Sequence, residues 1–190
     1  MNKVIVAGSE GRLGSFLTKT FLEVGSEVLG VDIVQHEKKT GYHYLNLDLS
    51  SLSSVQILSD ELKKRKFKPS GIVFCVGITG DSSFSWSDRP EKISDEEFQK
   101  SFATNALSLN YLIDGVMRGL SCSDCSVPIV VISSIYGNKT HLRKLYESSK
   151  VCLPLLYGPT KAALQHLALN LQNYYGNKVR INVIAPGGIL

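Results

Sequence analysis

A tyrosine and a lysine stand four residues apart in the stretch YGPTK, Tyr157 to Lys161, and the apolar residues Ala162, Leu164, Leu167, Ala168 and Leu171 follow at helical spacing. The Gly-Pro pair between them fits the start of a helix, because a first-turn proline lacks only an N–H that would have had no partner. Residues four apart in a helix share a face, so the spacing predicts a phenol beside an ammonium. An ordinary phenol titrates near ~10, leaving about one in a thousand ionised at neutral pH. A cation about 6 Å away at an effective dielectric of ~20 favours the phenolate by roughly 2.8 kcal/mol, about two pH units. The pair is therefore a candidate acid/base.

A second group of residues suits phosphate and ribose. Gly8, Gly11 and Gly14 in GSEGRLG lie between an apolar stretch and a helical pattern, where small residues allow a tight turn and a helix N-terminus offers N–H groups to a pyrophosphate. The next apolar stretch ends at Asp32 in LGVDI, 18 residues beyond Gly14. A carboxylate there accepts from both ribose hydroxyls and repels an added 2′-phosphate, which favours NAD over NADP. Arg12 pulls the other way, since its guanidinium could serve either the pyrophosphate or a 2′-phosphate. Asp48, ending LNLD, is placed near an adenine, or else is an acid heading the helix that follows.

These residues need a frame that brings them together. KVIVAG, EVLGVD, HYLNLD, GIVFCVG, PIVVIS and VRINVIAP read as buried strands, alternating with helical patterns in LGSFLTKTFLEVG, in SDEEFQKSFATNALSLNYLIDGV and after Lys161. Ser94 with Glu97 has the form of a capping box. The alternation predicts an α/β fold, a doubly wound parallel sheet covered on both faces, over residues 1–190 as one domain. The stretches 78–93 and 138–155 are expected to be loops at the rim of a site.

Composition narrows the partners. Of 190 residues 43% are hydrophobic and 20% charged, as in ordinary globular chains, and the net charge is +4. Much of the excess lies in KKRKFK, residues 63–68, read as a helix end that opposes the negative dipole rather than a nucleic-acid patch. Of the four cysteines, Cys122 and Cys125 have a metal-like spacing but no second ligand pair, so no metal is expected. The short apolar N-terminus is unlike a signal peptide, and no apolar run is long enough to span a membrane. A cytoplasmic location with reduced thiols is the expectation.

In their order and spacing, GSEGRLG, LGVDI, LNLDLS, CVG, FATNALS, VVISSIYG, YGPTK and VRINVIAPGGI resemble the short-chain dehydrogenase/reductase family along the whole chain. The resemblance implies a Rossmann sheet of order 3-2-1-4-5-6 and a catalytic set of Asn105, Ser134, Tyr157 and Lys161. Tyr157 would exchange a proton with the substrate oxygen while hydride moves to or from nicotinamide. Lys161 would hold the nicotinamide ribose, Ser134 the reacting oxygen, with Ser133 as its neighbouring competitor. Asn105 would anchor a water relay or, alternatively, satisfy a helix kink. The cofactor surface implied is Gly8, Gly11, Arg12, Leu13, Gly14, Asp32, Ile33, Asp48, Leu49, Cys75, Val76, Gly77, Tyr157, Lys161, Pro186, Gly187 and Ile189. The expected partners are a small alcohol, ketone or sugar derivative and further copies of this chain, as a dimer or tetramer.

The pattern is broken in places. Ala7 replaces a frequent threonine, and CVG stands where many members have N-N-A-G. The glycine spacing and the 23-residue step from Ser134 to Tyr157 resemble the extended branch of epimerases and dehydratases, whereas VRINVIAPGGI resembles the dehydrogenases. The insertion begun by Tyr136 resembles members that modify bacterial surface sugars. Members normally continue past PGGIL into a seventh strand and a substrate-covering segment, so a further alternative is a shortened NAD-binding chain that binds its cofactor but turns over poorly.

Overall fold

In the computed structural model, residues 2–35, 42–80, 83–84, 92–120, 126–140 and 153–188 are described. Six parallel strands form the main sheet: β1 (Lys3–Ala7), β2 (Glu27–Asp32), β3 (Tyr42–Asn46), β4 (Gly71–Phe74), β6 (Val127–Ile132) and β8 (Val179–Ile184). Their spatial order is β3-β2-β1-β4-β6-β8. Counting only these six, this is the doubly wound order 3-2-1-4-5-6, with the chain reversing direction across the sheet between β1 and β4. Two two-residue strands, β5 (Ser83–Phe84) and β7 (Leu153–Pro154), form a separate antiparallel ribbon. That ribbon joins the two stretches expected to be rim loops.

Alternation along the strands sorts the core into two faces. Ile5, Ala7, Leu29 and Val31 join the larger cluster, with Leu58 and Leu62 of α2 (Ser54–Arg65), Leu109, Leu112, Ile113 and Val116 of α4 (Ser108–Gly119), and Leu164, Ala168 and Leu171 of α5 (Tyr157–Tyr175). Val4, Val6, Val28 and Tyr42 face the other way, toward Phe21 and Leu22 of α1 (Arg12–Glu23). Among the described residues, three helices cover the first face and α1 alone covers the second, over its β1–β3 half. Helices thus cover both faces of the sheet, as the alternation predicts.

The predicted helix signals hold locally. Ser94 Oγ accepts the Glu97 N–H at 3.1 Å and starts α3 (Asp95–Phe102). Lys63, Lys64 and Arg65 fill the last turn of α2, where Lys64 and Arg65 pair with Glu61 at 3.3 and 2.8 Å, so the basic run is a helix end with its own acidic partner. Pro159 lies in the first turn of α5, whose buried side chains are Thr160, Lys161, Leu164, Ala168 and Leu171, while Ala162 is exposed. Between α3 and α4 the helix widens into one π turn, Ala103–Leu107, which carries Asn105.

Candidate active site

Parallel strands all end at one edge of the sheet, and in a doubly wound fold ligands sit there beside the reversal of strand order. The candidate residues follow those strand ends. At Gly8 the chain leaves β1 with φ of 79°, a conformation suited to glycine, and a Cβ there would lie 2.9 Å from the Cys75 backbone. A Cβ on Gly14 would come within 1.9 Å of the Gly8 carbonyl oxygen, so the first turn of α1 closes onto the loop only with glycine at this position. Gly11 is less constrained, its nearest obstacle being 3.4 Å away. Arg12, exposed, opens α1 with Leu13 behind it.

Asp32 ends β2 against this loop. Its Oδ2 accepts the Glu10 N–H at 2.9 Å, and its Oδ1 accepts the N–H groups of Ile33 and Val34 at 2.7 and 3.2 Å. A carboxylate has about four acceptor positions, so one remains for a ribose hydroxyl, and uptake of both hydroxyls displaces an existing bond. Ile33 is exposed beside it. Asp48 lies two residues beyond β3 and caps a turn, accepting the Ser50 N–H at 2.8 Å and its hydroxyl at 2.7 Å. Leu49 buries its side chain in the core, leaving its backbone for a ligand.

Tyr157 and Lys161 meet across the first turn of α5, with Lys161 Nζ 5.7 Å from the centre of the tyrosine ring. Lys161 is 4% exposed and donates a long bond to the Ile132 carbonyl at 3.4 Å. Burial lowers its pKa from 10.5 to about 8. The adjacent Cys75 thiol is pushed up to about 11, again chiefly by burial, and is neutral at pH 7. Gly77 leaves room between two groups, because a Cβ there would lie 2.9 Å from Lys161 Nζ and 3.4 Å from Asn105 Oδ1.

Asn105 is heavily committed. Its Oδ1 accepts the Ile78 N–H at 2.7 Å, and its Nδ2 donates to the Ile78 carbonyl and the Thr160 hydroxyl, both at 2.8 Å. The π turn supplies the offset that turns this amide toward the loop after β4, a device common at functional sites. Both donors are used, and one acceptor position on Oδ1 remains.

The two serines after β6 have different jobs. Ser133 Oγ donates to the Lys161 carbonyl at 3.2 Å and accepts from Gln165 Nε2 at 2.9 Å, which ties it to α5. Ser134 Oγ accepts the Tyr136 N–H at 3.2 Å, leaving its own proton available. The end of β8 supports this loop, for Ser133 N–H donates to the Ile184 carbonyl at 2.8 Å and Ile135 N–H to that of Pro186 at 3.0 Å. A cleft of about 290 Å³ is lined by Leu13, Cys75, Gly77, Ser133, Ser134, Tyr157, Lys161, Pro186 and Gly187, together with Ile78, Thr79 and Ile132. Asn105 stands behind it, Val76 borders the glycine turn, and Ile189 lies outside the described residues.

Sequence reasoning missed Thr160, which holds Asn105, and Gln165, which holds Ser133. Both stand within or just after the YGPTK stretch, so their place on the helix was readable although their partners were not. It also missed Ile78 and Thr79. Among the described residues there is no His, Cys, Asp and Glu cluster able to hold a metal, and Cys122, Cys125 and Cys152 lie outside them. No described helix is long and apolar enough to cross a membrane.

The family model for "short chain dehydrogenase" matches residues 2–190. The chain belongs to the short-chain dehydrogenase family. An uncharacterized oxidoreductase of Schizosaccharomyces pombe is 27% identical over 189 residues, covering 98% of this chain, which spans 66% of that relative's length. A short-chain dehydrogenase from Leptospira borgpetersenii, solved with NAD+ bound, is 25% identical with a TM-score of 0.81, covering 100% of this chain and 72% of its own. ElxO with NADPH bound shares the fold, with a TM-score of 0.77 at 20% identity over 98% of this chain and 73% of its own. Short-chain dehydrogenases are oxidoreductases that use a nicotinamide cofactor, and the comparisons favour neither the epimerase or dehydratase alternative nor the shortened binding protein.

Proposed function

We propose that this chain, as one domain, binds NAD and transfers hydride between the nicotinamide and a secondary alcohol or the matching ketone. The observation that carries the reading is the single cleft where Tyr157, Lys161 and Ser134 meet the loops that follow β4 and β8. The residues fit the dinucleotide: side chains at Gly8 and Gly14 would fill the cradle beside the helix N-terminus, and Asp32 keeps one acceptor position open. Bound there, the cofactor supplies the hydride donor or acceptor.

Tyr157 gives the proton to the ketone oxygen in reduction and takes it from the alcohol in oxidation. Below pH 8 Lys161 is mostly charged, and its Nζ stands 5.7 Å from the centre of the Tyr157 ring, beside the group that exchanges the proton. Ser134 donates its unused hydroxyl proton to the reacting oxygen and so stabilises developing charge. Asn105 offers its last acceptor position to a water leading toward Lys161. Sugar derivatives are the first substrates to test, a soluble cytoplasmic setting suits the chain, and self-association through α4 and α5 draws support from the exposed Leu107 and Leu169.

Calorimetry tests the binding half: NAD should bind more tightly than NADP, and Asp32→Ala should narrow the difference. Absorbance near ~340 nm with a panel of secondary alcohols and sugar derivatives tests the chemistry. Tyr157→Phe should abolish turnover and keep NAD affinity. An unmodified protein that binds neither dinucleotide would refute the reading, and product formed without net reduction or oxidation of the cofactor would move it to an epimerase.

A further inference from the structure

Beside the loop that follows β4 lies a second, smaller pocket. It holds about 140 Å³ and is lined by Ile78, Thr79, Gly80, Glu97, Lys100 and Ser101. Ile78 and Thr79 line the catalytic cleft as well, so the two spaces adjoin across this short wall. The wall is fixed from one side, because both backbone groups of Ile78 are taken by the Asn105 amide. Ser101 stands one turn before Asn105, near the end of α3.

Ser101 is the unexplained group. It is 1% exposed, and its Oγ has no hydrogen-bond partner, not even the carbonyl one turn earlier to which helical serines commonly bond. A buried hydroxyl left in this way is costly until a partner reaches it. The backbone opposite leaves room for one. Gly80 has a φ of 84°, and a Cβ there would lie 3.0 Å from Glu97 Oε1 and 3.5 Å from Ser101 Oγ, so both oxygens border space that a side chain at this position would fill. Thr79 Oγ1 donates only a long bond, 3.5 Å to the Gly80 carbonyl, and the exposed Lys100 has no ion pair among the described residues.

The lining mixes donors and acceptors. The Lys100 ammonium only donates, the Glu97 carboxylate only accepts, and the hydroxyls of Thr79 and Ser101 do both. One charge of each sign leaves the lining neutral. Such a set suits an uncharged group that donates and accepts at once, whereas a phosphate or carboxylate brings a like charge up to Glu97. We propose that this pocket is a polar subsite of the cleft that takes a hydroxyl of the substrate remote from the reacting carbon, which makes the substrates polyhydroxylated alcohols and the matching ketones. The inference rests on the reading that the cleft oxidises secondary alcohols. With the reacting oxygen at Tyr157 and Ser134, the remainder of the molecule runs over Thr79, and a hydroxymethyl group enters the smaller pocket to meet Ser101 and Lys100. At about 30 Å³ per water, the pocket holds such a group with water beside it. A site built to bond a hydroxyl rejects an analogue that lacks it, because its own buried polar group is then left unpaired.

The test is kcat/KM with NAD for sorbitol, a phosphorylated sorbitol and isopropanol, in the unmodified protein, Ser101→Ala, Lys100→Gln and Lys100→Arg, with thermal unfolding of each. The unmodified protein should prefer sorbitol to both other alcohols. Ser101→Ala and Lys100→Gln should each cut the preference for sorbitol over isopropanol about tenfold, the scale of one hydrogen bond, and Lys100→Arg should keep most of it. Lys100 is exposed, so its variants read the subsite even if Ser101→Ala disturbs the fold. If isopropanol is oxidised as well as sorbitol, if the phosphorylated form is preferred, or if neither Ser101→Ala nor Lys100→Gln lowers the ratio, the inference falls and the reading beneath it stands. If no secondary alcohol is oxidised at all, both fall together.

Discussion

Replacing Lys161 by methionine should make the protein more stable while making it worse at binding NAD. Lys161 is 4% exposed, its ammonium hydrogen bond among the described residues is the 3.4 Å contact with the Ile132 carbonyl, and burial drops its pKa from 10.5 to about 8. At about 1.4 kcal/mol per pH unit, the ammonium costs the folded state about 3 kcal/mol at pH 7. Methionine fills a similar volume without that charge. The pH dependence carries the sharper test. Between the folded value near 8 and the unfolded 10.5 the unfolded chain holds more protons, so the parent's stability rises with pH there while the variant lacks this rise. The gap between them should shrink to about 2 kcal/mol at pH 9. Cys75 acts in the opposite sense above pH 9, because its thiol stays protonated up to about 11 in the folded chain, so the comparison belongs below pH 9 and as a difference. Urea unfolding followed by circular dichroism at pH 7, 8 and 9 measures it, beside calorimetric NAD affinity. A variant less stable than the parent at pH 7, or a gap constant from pH 7 to 9, would refute the reasoning.

Two further outcomes follow from geometry. Gly14→Ala should cost a few kcal/mol of stability, the range of overpacking, and abolish dinucleotide binding, whereas Gly11→Ala, with 3.4 Å of room, should fold normally; denaturant midpoints of the two decide it. Ser134→Ala should reduce turnover about a hundredfold, the low end for a lost transition-state hydrogen-bond donor, with only a small fall in melting temperature from the acceptor that the Tyr136 N–H loses. Ser133→Ala should instead lower the melting temperature, since it strips partners from Gln165 and the Lys161 carbonyl.

How much of this was readable in the chain depends on how local each cause is. The glycine loop, Asp32 and the Tyr157-Lys161 pair declare themselves because strand, turn and helix follow directly in sequence, and the strand order follows from the same alternation. Asp48 and Arg12 were ambiguous because position along the chain does not say which way a side chain points. The choice between Ser133 and Ser134 lies in Gln165, a residue one turn beyond Lys161 that reaches back across the sheet edge. The π turn at Asn105 leaves the apolar pattern of its helix almost undisturbed, so only the amide's three bonds reveal it. Gly30 was visible inside EVLGVD as a strand glycine, but its meaning needed Tyr42, which the register of β2 and β3 brings diagonally across it.

The small ribbon ties together two parts of the chain that are distant in sequence. Ser83 pairs with Pro154 and Phe84 with Leu153, so the chain that leaves β4 is stapled to the chain that leads into Tyr157. A two-stranded ribbon of this length has little stability of its own in water, and it breaks at low free energy, far below global unfolding. The amides of Phe84 and Leu153 should therefore exchange with solvent at a common rate, set by that one opening equilibrium rather than by global unfolding.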